Sequence, residues 1–438
     1  MPAAADRQPK ISIHLKNRLL PVLVVVLFAW QLISPAKVWM MLLIGLGGAL
    51  ALGWVWVRMM APQLSLEREL RYGWAQVGDR LQERFTLKNS SALPALWVEV
   101  MDFSDLPGES ANRVASVSAH TSTRWITERL CEQRGVYTLG PTAFVVADPL
   151  GIFTARLDYA QQSGLMVMPP IVPLTEIEVA PGGRAGEGRR RSQEAIEITV
   201  SASGVHEYQP GDPISKIHWP TTARRDQLYS RQFDSMPASD WWIFLDLDSR
   251  VQAGEGWNST EEHGIILAAS LADAGLRRGL AVGLVASGEK LAWLAPQVGL
   301  DQRLLILQAL TTIELGQITL TQLLGRAVPR FSRSTSLVVI TSNVQGAWLE
   351  ELLPLAAKGV VPTIILLDPG SFGGSGSSTQ LANLLTRFNL HHYVLTKELL
   401  DRPETRPGQR GLWEWKVLGT GRAIAVRKPA DVEWRRLA

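Results

Sequence analysis

Two uncharged apolar runs near the N-terminus constrain this chain more than any other feature. The first reads Leu19 to Ile33, and the second runs from Val38 to Val57. The second meets the requirement of about 20 apolar residues for a helix crossing the hydrocarbon of a bilayer. Backbone amides in lipid must bond within their own segment, so each run is expected to be helical. Ser34, Pro35, Ala36 and Lys37 leave room only for a tight turn between them. Trp30, Trp39, Trp54 and Trp56 fall towards the ends of the runs, where amphipathic indoles prefer to sit.

Flanking charge predicts the orientation. Arg7, Lys10, Lys16 and Arg18 precede the first run, Arg58, Arg68 and Arg71 follow the second, and the turn has only Lys37. The positive-inside rule then puts both termini in the cytoplasm. A secretory signal peptide also starts basic and apolar, but here a longer apolar run follows at once without a clear small-residue cleavage site. A buried core hairpin is opposed by the length of the uncharged stretch. The expectation is a two-pass anchor in the inner (cell) membrane over residues 19–57, after a cytoplasmic segment 1–18.

Lys plus Arg total 44 and Asp plus Glu 41 in 438 residues, a formal net charge of +3. That balance argues against nucleic acid as a main partner. The only cysteine, Cys131, rules out an intrachain disulfide framework and a cysteine-based zinc cluster, and it reads as a core residue.

From about residue 60 to 170 the pattern is short alternating runs, such as Glu83-Arg84-Phe85-Thr86-Leu87 and Leu96-Trp97-Val98-Glu99-Val100. Turn residues at Gly78-Asp79, Asn89-Ser90, Pro107-Gly108 and Gly140-Pro141 separate them. Half-buried antiparallel strands have this period, and their number predicts a β-sandwich-like domain. Residues 171–200 read as a linker, with a Gly-rich basic stretch around Arg189, Arg190 and Arg191.

Residues 201–438 read as an α/β domain. Strands are expected at Trp242 to Asp246, Ala281 to Ala286, Ser336 to Thr341 and Val361 to Leu367. Helices are expected at Glu261 to Arg278, Asp301 to Leu310 and Ala347 to Ala357. Continuous apolar strands between amphipathic helices predict a doubly wound sheet, whose ligands gather at the strand carboxyl ends. Those ends carry Asp246, Asp248 and Ser249, then Ser287, then Thr341-Ser342-Asn343, then Asp368. Oxygen donors of this kind hold hard divalent cations, and they equally cap helices and shape turns.

A further stretch is more specific. Tyr208, Gly211, Asp212, Ile217, His218, Trp219, Ala223 and Arg224 occur in the order and spacing of a signature that resembles the bacterial family called domain of unknown function 58. His206 stands where that family commonly has Arg. Arg134 to Pro141 and Asp148 to Phe153 resemble its second recurrent stretch. The resemblance implies a von Willebrand factor A-like α/β domain and a metal position that starts at Asp246. Here Asp248 and Arg250 replace the two serines of that pattern, and Asn343 stands where a later Asp is expected. Arg250 brings a cation to where Mg²⁺ would sit, so no cofactor is expected. The resemblance also implies partnership with a MoxR-type AAA+ ATPase, hence an adaptor or scaffold in assembly or maturation of envelope or other protein complexes.

Taken by themselves, Pro210, Gly211 and Asp212 read as a turn, Trp219 as an apolar anchor, and Arg224 as a fork for a carboxylate such as Asp212. These types suit a clamp between domains or a surface for a partner. No nucleophile elbow, phosphate-binding loop or metal-spaced histidine pair occurs, and His391-His392 on one strand would face opposite sides. No catalytic residue is expected. The alternative is a metal-dependent hydrolase at the strand ends.

Overall fold

The computed structural model describes residues 9–70, 73–108, 110–172, 174, 177–180, 202–208, 217–225, 227–233, 240–327, 331 and 335–397, and the backbone of 414–417, 423–427 and 435–436. The chain divides into two units, Met1–Pro170 with Arg402–Ala438, and Ile171–Asp401. The described strand Arg435–Arg436 thus groups with the first unit, whereas the sequence pattern predicts an α/β domain through residue 438. Backbone pairing accounts for this, because the short strand Arg435–Arg436 lies antiparallel beside Leu70 and Glu69.

The first unit begins with a strand the sequence reading did not expect. Its strand β1 (Lys10–Leu15) precedes helices α1 (Leu19–Ile33) and α2 (Lys37–Met60), which lie against each other. Ile11, Ile13 and Leu15 alternate with Lys10, Ser12 and His14, the period of a strand. Among the described residues one helix, Lys37–Gln63, is long and apolar enough to cross a membrane; Leu19–Ile33 is apolar but shorter.

The strands that follow are β2 (Leu64–Leu70), β3 (Trp74–Gln76), β4 (Arg80–Asn89), β5 (Ala95–Asp102), β6 (Arg113–Val117), β7 (Ser122–Leu130), β8 (Gly135–Leu139), β9 (Thr142–Ala147), β10 (Phe153–Tyr159) and β11 (Ser163–Met168). One sheet has the order β1-β10-β9-β5-β6, and a second contains β2, β4 and β7. Their inner faces share a core that includes Leu66, Phe85, Val98, Val100, Phe144, Val146 and Leu157. Phe85 lies directly opposite Trp125 with the rings stacked 5.6 Å apart. The last turn of α2 belongs to the same core, with Val57 and Met60 fully buried. A smaller sheet has the order β3-β11-β8.

One end of this core is charged. Arg68, Glu83, Asp102 and Arg129 occupy inward positions on β2, β4, β5 and β7, and all four side chains are buried. Arg68 reaches Glu83 at 2.5 Å and Asp102 at 2.7 Å, while Arg129 pairs with Glu83 at 2.8 Å and Asp102 at 3.3 Å. Ser104 and Thr142 add hydroxyls to Arg68. Two cations alternate with two carboxylates, so the group is neutral as a whole. Arg68 is therefore a core residue and not one of the exposed basic residues flanking the apolar helices. Cys131 is also buried, and burial pushes its thiol up to about 12, which leaves it unreactive.

The second unit opens with β12 (Ala202–Glu207), α3 (Trp219–Arg225) and β13 (Tyr229–Phe233), the two strands pairing antiparallel. The remaining elements are β14 (Trp241–Leu245), α4 (Thr260–Arg277), β15 (Val282–Ser287), β16 (Leu291–Gln297), α5 (Leu300–Thr312), α6 (Leu320–Ala327), β17 (Ser336–Thr341), α7 (Leu349–Ala357), β18 (Val361–Leu367), α8 (Thr379–Arg387) and β19 (His391–Leu395). They build a six-stranded sheet of order β16-β15-β14-β17-β18-β19. All neighbours are parallel except the edge strand β16, which forms a hairpin with β15. The order reverses beside β14, so a doubly wound sheet has its switch point between β14 and β17. Strands buried on both faces explain the unbroken apolar runs WWIFL, VGLVAS and SLVVIT.

Candidate functional site

The switch point brings together the residues just beyond β14 and the last residue of β17. Asp246 is 3% exposed, and its Oδ2 accepts a 2.6 Å hydrogen bond from the Thr341 hydroxyl. Its Oδ1 accepts from the Asp248 amide at 3.2 Å. Burial pushes the Asp246 carboxyl up to about 6, although the Thr341 and Asp248 hydrogen bonds pull the other way.

Asp248 is also buried, yet it behaves oppositely. Burial alone raises it, but hydrogen bonds and charge from Arg250 outweigh that effect and hold its carboxyl below the usual range. Arg250 Nε donates to Oδ1 at 2.8 Å and Nη2 to Oδ2 at 2.7 Å, with a further bond from Nη2 to the Gln317 carbonyl. Both oxygens of Asp248 therefore face a guanidinium, the strongest common geometry for this pair. Ser249 is exposed, and its amide bonds the Gly316 carbonyl. At Gly316 the chain passes so close to Gly288 that a Cβ would collide with the Gly288 carbonyl oxygen.

The remaining strand-end groups are engaged in shaping loops. Ser342 Oγ donates to the Val251 carbonyl, and Gln252 Nε2 donates to the Asp246 carbonyl. Asp368 accepts from the amides of Ser371 and Ser378 and from the Ser378 hydroxyl. Ser287 Oγ accepts from the Leu247 amide. Asn343 lies in the turn after β17, where its Oδ1 accepts from the Gln345 amide. No group of three or more His, Cys, Asp or Glu among the described residues is arranged to hold a metal. A divalent cation at Asp246, Asp248 and Ser249 would meet the Arg250 charge directly, so this donor set does not fit Mg²⁺.

His263, which the sequence reading did not single out, lies in the first turns of α4 near this region. It is buried, with Nδ1 at 3.0 Å from the Ser259 carbonyl and its ring edge-on to Phe372 at 4.8 Å. Burial lowers its affinity for a proton, the state expected of a core imidazole. Its place on a helix rich in buried apolar residues is the only signal the sequence offers. His391 and His392 start the edge strand β19 and do not join the strand-end cluster; His392 Nδ1 is engaged with the Leu390 carbonyl.

The described signature residues are arranged around α3. The Tyr208 amide bonds the Leu228 carbonyl, and the His218 amide bonds the Tyr229 carbonyl at 2.7 Å. His218 Nδ1 lies 2.8 Å from Thr221 Oγ1 at the start of the helix. Ile217 is buried, whereas Ala223 and Arg224 are exposed. Trp219 is 62% exposed, with Leu228 also exposed. Gly211 and Asp212 lie outside the described residues, as do Arg189, Arg190 and Arg191.

Residues 204–371 match the family model described as "Protein of unknown function DUF58". This stretch is similar to the DUF58 family. The matched span runs from the signature strand through the sheet to the loop after β18. An uncharacterized protein of Mycobacterium tuberculosis, Rv1480, is 24% identical over 168 residues, 37% of this chain and 53% of the relative. The uncharacterized protein YeaD of Bacillus subtilis is 22% identical over 220 residues, 49% of this chain and 53% of that protein. This chain thus spans about half the length of each. Among solved structures, an aerotolerance-related membrane protein from Bacteroides fragilis is 16% identical, covering 43% of this chain and 82% of its own, with a TM-score of 0.21. A CARDB domain from Pyrococcus furiosus is 12% identical over 24% of this chain and 91% of its own, with a TM-score of 0.18.

Proposed function

We propose that this protein is a membrane-anchored, non-enzymatic adaptor, whose α/β unit receives a protein partner on the face that carries Trp219. The exposed indole is the observation that carries the reading. A tryptophan with most of its surface in water, inside the segment matched to the family, suits an interface more than a clamp. Arg224 and Arg225 extend from the same short helix and favour an acidic or carboxylate-bearing partner surface. The sheet order and its one antiparallel edge strand support a von Willebrand factor A-like reading of the unit. The sequence resemblance nominates a MoxR-type AAA+ ATPase as the partner.

Two features support a two-pass anchor. Strand β1, ahead of α1, pairs with β10, which lies after α2, so the chain on both sides of the helix pair belongs to one sheet. That arrangement suits two antiparallel spans with their turn at Ser34–Ala36 on the far side. The buried end of α2 also opposes a cleaved signal, because cleavage would remove part of the sandwich core. Basic flanks favour the cytoplasm for both units.

Purification of the full chain in mild detergent, with and without ATP, tests the adaptor. Recovery of an AAA+ ATPase with the wild type, and its loss with Trp219→Ala, is the expected result. Equal recovery with both chains would overturn the Trp219 surface, and recovery with neither would overturn the ATPase partner.

A further inference from the structure

We infer that the β-sandwich is seated directly on the bilayer, with the loop Asp148–Ile152 immersed in the lipid interface at the foot of the helix pair. The inference rests on the reading of α1 and α2 as an anchor and adds a second contact with lipid.

The helices are joined to the sandwich without any slack. The last turn of α2 is part of the core, and the Lys16 amide just before α1 bonds the Ile152 carbonyl at 2.8 Å. On the other helix, a Cβ at Gly53 would stand 3.1 Å from Asp148 Oδ2 and 3.4 Å from the Phe153 ring. The loop is therefore held against α2 at Gly53 and against the start of α1 at Lys16. Asp148 fixes its shape, accepting from the Leu150 amide at 3.0 Å and the Phe153 amide at 2.6 Å. The outcome is that Leu150 projects outward, 63% exposed.

Length then decides where the membrane surface falls. At 1.5 Å per residue, α1 spans about 22 Å, and α2 from Val38 to Gly53 spans about 24 Å. A bilayer core is about 30 Å thick, so helices fixed this tightly to a folded domain cannot hold that domain clear of the lipid. The side chains at the required level match an interface. Leu19, Trp54 and Leu150 are exposed apolar groups, and Lys16, Arg18 and Arg58 are exposed cations for headgroup phosphates. The Arg58 guanidinium lies 5.3 Å from the Trp54 ring, the pairing of indole and cation that interfaces favour.

The experiment uses full-length protein in phosphatidylethanolamine–phosphatidylglycerol nanodiscs. The only native cysteine, Cys131, is buried, so Leu150→Cys, Ile44→Cys and Ala160→Cys can each be labelled with an environment-sensitive fluorophore. Ile44 lies mid-way along α2, and Ala160 follows the opposite end of β10. A lipid carrying a nitroxide near its headgroup is the quencher for the Leu150 and Ala160 sites, and one carrying it deep on the acyl chain is the quencher for Ile44. The Leu150 site is expected to be quenched about two-fold or more over the Ala160 site, with a blue-shifted emission. Quenching at Leu150 equal to that at Ala160, with Ile44 strongly quenched, would overturn the seat and leave the anchor standing. An unquenched Ile44 would overturn the anchor, and the seat with it.

Discussion

The Arg250 guanidinium closes on both carboxylate oxygens of Asp248, Nε at 2.8 Å from Oδ1 and Nη2 at 2.7 Å from Oδ2. A tethered cation thus stands where the strand-end carboxylates would otherwise present a charge to a metal. The wild-type chain is expected to show no change in melting temperature between metal-free buffer and millimolar Mg²⁺ or Ca²⁺. Arg250→Ser removes the cation that neutralises Asp248 and is expected to lower the melting temperature without metal. Millimolar divalent cation should then recover part of that loss, because the freed donors are oxygens. Thermal melts with and without chelator check this, and a metal-dependent rise in the wild type would refute it.

Asp246 carries the opposite electrostatic signature in the same loop. Its folded-state pKa of about 6 lies above the ordinary 3.8, so the folded chain holds more protons than the unfolded one between those values. Stability contributed by this group therefore falls as pH rises from about 4 to about 6 and stays low above that. Asp246→Asn removes the ionisation and keeps an oxygen for Thr341. The variant is expected to match the wild type near pH 4 and to exceed it by roughly 3 kcal/mol at most above pH 7. Urea unfolding followed across this pH range measures the difference, and a difference that does not vary with pH would sink the account.

In the sandwich, removing one charge from the buried quartet is expected to cost far more than a surface change. Glu83→Gln leaves Arg68 and Arg129 with only Asp102 to balance them, at an expected cost of about 3–5 kcal/mol. The neighbouring surface change Gln82→Ala removes only an exposed contact to Glu128 and should stay within about 0.5 kcal/mol. Denaturant unfolding of the two variants side by side checks the contrast.

The α/β unit was legible from the sequence because strands buried on both faces leave unbroken apolar runs. Ser336–Thr341 and Val361–Leu367 occur where those runs placed them. Helices α6 and α8 and strand β19 were not anticipated, being short and only partly apolar. The missed β1 was visible in KISIHL, where strict alternation continues almost to the first apolar helix. Its Lys10 equally fits the basic flank of the helix pair, which masks the strand. The quartet was half visible: Glu83 is in phase with the inward residues Phe85 and Leu87, but its partners lie on three other strands. Pairing of that kind depends on sheet register, which local pattern does not contain. At the strand ends the sequence supplied the residues but not their engagement. The fork between Arg250 and Asp248 depends on a turn that only the folded loop defines.

Substitution of Trp219 separates the two roles that its residue type allows. A clamp would bury the indole, and Trp219→Ala would then cost several kcal/mol. At 62% exposure the substitution is expected to change stability by no more than about 0.5 kcal/mol. Its effect should fall on association instead, because an aromatic side chain at the centre of an interface often supplies 2 kcal/mol or more. That corresponds to about a 30-fold weaker partner complex at unchanged melting temperature. Trp219→Phe, which keeps an aromatic surface of smaller area, should fall between the two. The measurement is a paired one, thermal unfolding and partner recovery on the same preparations. A large loss of stability with Trp219→Ala would restore the clamp and remove the docking surface.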